Sequence, residues 1–157
     1  MRIEKIKSLL VSFLWLSLII MVIALIVGSI IFVIDLICGK ITLKIFFDRF
    51  FIAIVLLGYS IIMYVLLRIS KTLKESSPFI RANIKRFNGM GLIFFIEAVV
   101  QAIYSSIFTP NEGIAQILGL NITIELVTLA IFSITFFLIA DVFDKAVKIK
   151  EDNDLTI

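Results

Sequence analysis

The chain has 157 residues, of which 61% are hydrophobic and 17% charged, with a formal net charge of +3 and a mean hydropathy of +1.16. A soluble domain is roughly 45–50% apolar and about 25% charged. There is too little polar surface here to cover a water-soluble body, which excludes a secreted domain, a disordered tail and an ordinary cytosolic enzyme and leaves one domain in a bilayer.

Residues 8–34 are 27 uncharged positions in a row, about 40 Å of helix against a hydrocarbon core of roughly 30 Å. The residues before them resemble the positive start of a signal peptide. The apolar stretch is about twice as long as such a peptide needs, and no small-x-small cleavage site follows. Bulky Ile37 before Cys38 also spoils a lipoprotein motif, so the segment reads as a retained helix. A second uncharged run covers 50–67, opened by Ile45, Phe46 and Phe47; a third covers 91–108, interrupted by Glu97 and Gln101; a fourth runs over about 120–140, with Glu125 near its start. The expected fold is all-α: a single integral-membrane four-helix bundle over 1–157 with spans at about 8–34, 46–68, 89–109 and 120–141. Backbone polar groups in lipid must be satisfied within each segment, and continuous rather than alternating runs exclude a β-barrel.

Lys and Arg set the orientation. Three precede the first span, three lie in the first loop, six in the second, none in the third and three in the tail, so alternate compartments hold 12 and 3. Both termini and the central loop are therefore expected in the cytoplasm, and the protein in the plasma membrane. In that loop, Ser77 is expected to cap and Pro78 to occupy the first position of helix 3, while helix 2 continues to about Glu75. The two extensions would make a cytoplasmic hairpin over 68–88 with six basic residues and one acid. Such a cluster serves as a topology determinant touching anionic headgroups, at about 1 kcal/mol per basic residue, or as a docking surface for a partner. The tail, 142–157, continues an apolar face through Phe143 and then turns acidic at Glu151, Asp152 and Asp154. It either folds back on the basic hairpin in a weak, salt-sensitive latch or stays solvated.

Glu97 and Gln101, at i and i+4, share a face of helix 3. With entry near Gly91 they lie about 9 and 15 Å into the bilayer. A carboxylate at that depth is a functional candidate, expected to face the bundle interior, protonated or hydrogen-bonded to Tyr59, Ser60 or Tyr64. Glu125 has a structural explanation: with Asn121 capping helix 4, it lies near the first turn, where the helix dipole favours negative charge. The sequon Asn121-Ile122-Thr123 lies too close to the membrane to be used. Catalytic constellations are missing. There is no His, the commonest general base and metal ligand, and a single Cys forms no internal disulfide or Cys cluster. No metalloprotease, P-loop or dinucleotide motif occurs. No enzymatic activity, cofactor or metal is expected.

Ser77-Pro78-Phe79 followed by Asn83, then Arg86-Phe87 and Gly89-Met90-Gly91, resembles the signature opening the third helix of a bacterial membrane family, the domain of unknown function 2975. The ending Ala140-Asp141-Val142-Phe143, Ala146, Glu151, Asp154-Leu155-Thr156-Ile157 resembles that family's tail. Phe87 stands where an aliphatic residue is more usual and Ala146-Val147 where Gly is common. The resemblance implies a short four-helix membrane protein of no established activity, often encoded beside a small helix-turn-helix regulator. The leading expectation is thus a non-enzymatic membrane partner that sequesters a cytoplasmic transcriptional regulator, without direct nucleic-acid contact. Its candidate contacts are Pro78, Phe79, Arg81, Asn83, Lys85 and Arg86 in the hairpin and Phe143, Glu151, Asp154, Leu155 and Thr156 in the tail. The alternative is a small transporter or immunity-type protein using intramembrane Glu97 and Gln101, with Glu125 as the further polar residue of that candidate site. A structural oligomer is the third reading, although no GxxxG pair occurs within a span.

Overall fold

Local chemistry decides where each helix stops. The first, Arg2–Ile37 (α1), ends at Gly39, whose φ of +64° turns the chain. The amides of Cys38, Gly39 and Lys40 close onto the carbonyls of Ile34, Leu36 and Asp35, satisfying oxygens the helix leaves unpaired. Thr42 then restarts the chain as Leu43–Glu75 (α2): its Oγ1 accepts from the Ile45 amide and its carbonyl from the Phe46 amide. The third and fourth helices are Arg81–Phe108 (α3) and Ile124–Asp154 (α4). The computed structural model describes residues 2–75 and 79–154. All four helices are long and apolar enough to cross a membrane.

Two expected boundaries are corrected. The third helix does not begin at Pro78: Phe79 and Ile80 are non-helical, Ile80 extended at φ −131° and ψ 146°, and the helix starts at Arg81. The reason is tertiary, because Phe79 is seated on the Phe143 ring of α4, 5.2 Å between centroids. Ser76, Ser77 and Pro78 lie outside the described residues. Nor does Asn121 cap the fourth helix. Thr123 does, with its Oγ1 accepting from the Leu126 amide at 3.2 Å and its carbonyl from the Val127 amide. Asn121 instead belongs to an unexpected hairpin of Ala115–Ile117 (β1) and Leu120–Ile122 (β2), antiparallel, with Gln116 opposite Asn121. Its turn is Leu118-Gly119, both at positive φ, the mirror-image geometry that two-residue hairpins prefer.

Chain neighbours are spatial neighbours: α1 lies on α2, α2 on α3, and α3 along α4. No residue in the membrane-length window of α1 is buried, as suits a helix whose solvent is lipid. The tightest seam joins α3 and α4. Phe87 and Phe94 on α3, and Phe136 and Phe143 on α4, are each seven residues apart and so share a face over two turns. Their rings interleave: Phe143 to Phe87 at 4.9 Å, Phe87 to Phe136 at 6.3 Å, Phe136 to Phe94 at 5.5 Å, and Phe94 on to Phe132 at 5.4 Å. Between them the backbones approach at Gly91, where an added Cβ would meet the Phe137 ring at 3.0 Å. The bared Gly91 carbonyl accepts a buried hydrogen bond from Ser133 Oγ at 2.9 Å.

Gly91→Val must displace the Phe137 ring and should cost roughly 1–3 kcal/mol. Ser133→Ala, losing one interhelical bond in an apolar surround, should cost about 0.6 kcal/mol. Unfolding titrations in mixed micelles check the order. Equal, negligible effects would mean that this seam does not hold the helices together.

Candidate functional site

Two places gather the polar residues singled out in the sequence. The first is inside the apolar belt. Glu97 is 2% exposed, and neither carboxylate oxygen has a hydrogen-bond partner. The side chain fits because Gly58 faces it from α2; any Cβ there would collide with Glu97 Oε1. Glu97 stands 11 residues before the end of α3, about 16 Å along the helix. It lines a cavity of about 330 Å³ between α2, α3 and α4 with Gln101, Glu125, Phe51, Tyr59 and Leu129 among the other walls. The three polar residues form a gradient: Glu125 is exposed in the first turn of α4, Gln101 is half-buried, and Glu97 is buried at the floor. Gln101 Nε2 donates to Thr123 Oγ1 at 3.3 Å, so the cap of α4 orients the amide and leaves its carbonyl as an acceptor.

The partners expected for Glu97 are otherwise occupied. Ser60 Oγ donates to the Leu56 carbonyl at 2.7 Å, and Tyr64 OH accepts from Arg68 Nε at 2.9 Å. Tyr59 does line the cavity, its ring edge-on to Phe94 at 6.1 Å, without bonding the carboxylate.

The second place is where α2 ends, α3 begins and α4 ends. Asn83 is fully buried there. Its Nδ2 donates to Thr72 Oγ1 at 3.0 Å, and its Oδ1 accepts from Arg86 Nη1 at 2.7 Å. Arg86 also reaches the Arg68 carbonyl at 3.5 Å. Arg81 grips Glu151 through Nε at 3.0 Å and Nη2 at 2.8 Å, and this two-point bond holds the Glu151 carboxyl below its usual range. The pair is open to water, with side chains 74% and 45% exposed, so solvent and salt screen it. Asp141 and Asp144 pair with Lys145 and Lys148 one turn on. Phe79, Phe87 and Phe143 form a ring cluster beneath the charges. The hairpin residues Phe79 and Arg81 thus meet the tail residues Phe143 and Glu151, while Lys85 stays exposed. Pro78, Leu155 and Thr156 lie outside the described residues, as does the Asp154 side chain.

Sequence reasoning missed the lock at the opposite end. Asn121 is buried, its amide donating to Ser106 Oγ at 2.8 Å and its Nδ2 to the Thr109 carbonyl at 2.8 Å, while Ser105 Oγ donates to the Asn121 carbonyl at 3.1 Å. Its Oδ1 faces Gly113 without a hydrogen-bond partner. Gly119 between two apolar runs was the available turn signal. Tyr104 OH donates to Asp48 Oδ1 at 2.6 Å, a pairing with no sequence signature. Among the described residues, no group of three or more His, Cys, Asp or Glu is placed to hold a metal.

A multi-pass protein of four membrane-length helices, whose two motif-bearing segments converge at one end, is the class this fold defines. The model of one family, described as protein of unknown function (DUF2975), matches residues 49–157. The chain belongs to that family, with α1 outside the match. No curated protein and no solved structure matches it.

The ring cluster, more than the ion pair, should hold the tail down. Phe143→Leu gives up contacts to two rings at about 0.5–1.5 kcal/mol each. Arg81→Gln should change stability only in low salt, since its pair is screened. Equilibrium unfolding of both variants at two salt concentrations checks this. A salt-independent loss in Arg81→Gln larger than that of Phe143→Leu would reverse the ranking.

Proposed function

We propose that this is a non-catalytic plasma-membrane protein, with both termini and the α2–α3 connection in the cytoplasm, that holds a small helix-turn-helix regulator at the inner membrane surface. One observation carries the reading: the segments bearing the family signature, some 60 residues apart, converge on one end of the molecule through Phe79–Phe143 and Arg81–Glu151. Three acids there are spent on internal pairs: Asp141 on Lys145, Asp144 on Lys148 and Glu151 on Arg81. Lys71 and Lys85 remain exposed. A surface so biased recognises an acidic face of its partner and leaves a DNA-reading basic face uncovered. The regulator as partner class comes from the family resemblance. The orientation comes from the distribution of Lys and Arg.

A second reading, a small transporter or immunity-type protein working through Glu97 and Gln101, is favoured by the cavity those residues line with Glu125.

Two measurements test the first reading. In a Cys38→Ser background, an impermeant maleimide applied to intact cells should label Leu118→Cys, whose side chain is 98% exposed in the hairpin turn, and spare Lys85→Cys. Labelling of Lys85→Cys from outside would invert the topology. Affinity capture of the solubilised full chain should recover a helix-turn-helix protein, and Lys71→Glu with Lys85→Glu should lose it. Recovery of no such protein by the unmutated chain would remove the regulator from the proposal.

A further inference from the structure

The geometry points to a ligand class for the Glu97 cavity: we propose that it binds an organic monocation, an ammonium group carried on a compact apolar body. The inference rests on the second reading above, that the cavity takes a ligand at all, and it is independent of the regulator.

A buried carboxylate without a partner is unfavourable in an apolar medium, and Glu97 is enclosed with no donor to its carboxyl among the described residues. The room around it was made by a glycine on the facing helix, so the carboxylate is accommodated by the fold and not squeezed into it. A proton on the carboxyl removes the charge while the site is empty, and a ligand that displaces that proton must bring a positive charge of its own. Among the described residues no basic side chain lines the cavity; Glu97, Gln101 and Glu125 offer acceptors, the Thr128 hydroxyl is spent on the Ile124 carbonyl, and Tyr59 adds a phenol. That chemistry repels anions. A small inorganic cation needs about six oxygens at 2.0–2.6 Å, whereas the remaining walls include Phe51, Tyr59 and Leu129. Aromatic faces attract cations that shed their water easily, and aliphatic walls favour an apolar body. A volume near 330 Å³ lies at the lower end of the range for small-molecule sites, so the occupant is compact. Glu125, exposed at the mouth, draws the cation in; the Glu97 carboxylate, which faces Gly58, turns into the cavity to receive the ammonium.

The test uses the full chain in lipid nanodiscs with three isosteric probes: 2-phenylethylammonium, 2-phenylethanol and phenylacetate. Calorimetry should give saturable binding of the ammonium, at least tenfold tighter than the alcohol, and no binding of phenylacetate. Glu97→Gln should weaken the ammonium tenfold or more, and Glu112→Gln, in the exposed loop after α3, should leave it unchanged. A second measurement leaves Glu97 intact: with Thr128→Cys in the cavity wall and Cys38→Ser, the ammonium should slow maleimide modification and the alcohol should not. If no probe protects the cysteine, the cavity is not a ligand site and both this inference and the second reading fall. If the alcohol or phenylacetate protects equally, the cavity binds ligands but the cation assignment is wrong. Undiminished ammonium binding by Glu97→Gln also overturns the assignment.

Discussion

Everything else in the molecule depends on the close approach of α3 to α4. In lipid, the hydrophobic effect does not drive one apolar helix onto another, so association rests on packing and on hydrogen bonds between backbones brought near each other. Gly91 supplies the near approach, Ser133 the hydrogen bond, and the interleaved phenylalanines the contact area. The aromatic seam runs from the basic end, where Phe79 caps it on Phe143, to Phe132 on Phe94, halfway along α3. Beyond that point Leu129 and Leu126 of α4 stay packed on the core, and the hairpin turns Asn121 into the end of α3 and hands the chain to Thr123. The position of Glu125, and so one wall of the cavity, is set by that junction.

The attachment of α2 follows a different rule. It is fastened to α3 near both its ends by polar groups: Thr72 and the Arg68 carbonyl to Asn83 and Arg86 at one end, Asp48 to Tyr104 at the other, with the Phe51 ring stacked on Tyr104 at 4.2 Å. Between these fastenings lie Gly58 and Glu97 and the cavity. The middle of α2 packs on α3 through Gly58 and Ile62, and the cavity opens beside that contact, along Phe51, Val55 and Tyr59. α1 adds a further layer on α2, tied at one end by Arg49 and Asp35 at 3.4 Å, and contributes no wall to the Glu97 cavity.

The four helices were legible in the sequence because the apolar run length is a one-dimensional property. The place of Glu97 and Gln101 within the third apolar helix was legible for the same reason, and their i, i+4 spacing put them on one face. That Glu125 lines the same cavity was not, because it depends on how α4 is rotated about its axis. That rotation is fixed by Phe132, Phe136 and Phe143, residues that read in sequence only as apolar. The hairpin escaped because three-residue strands carry almost no periodicity, and Asn121 looked like a cap when its true partners, Ser105, Ser106 and Thr109, lie on another helix. The start of α3 was misplaced for a related reason. Pro78 is a good local start signal, but the Phe143 ring, more than 60 residues away, keeps Phe79 out of the helix.

The polar residues of the described chain divide by whether the fold uses them. Asn83, Ser105 and Ser133 are buried and hydrogen-bonded, each joining two elements of the fold. Their burial is explained by the bonds they make, and substituting them would read out as stability. Arg81 and Glu151 are exposed and paired, so the fold holds them weakly and a partner can take either one. Glu97 fits neither group: it is buried like the first and unbonded unlike either. A fold gains nothing from such a group, since an apolar residue of similar volume opposite Gly58 would fill the same space without desolvating a carboxylate. Its presence at the floor of a cavity, behind a glycine that makes room for it, is the one arrangement here that the stability of the bundle does not explain.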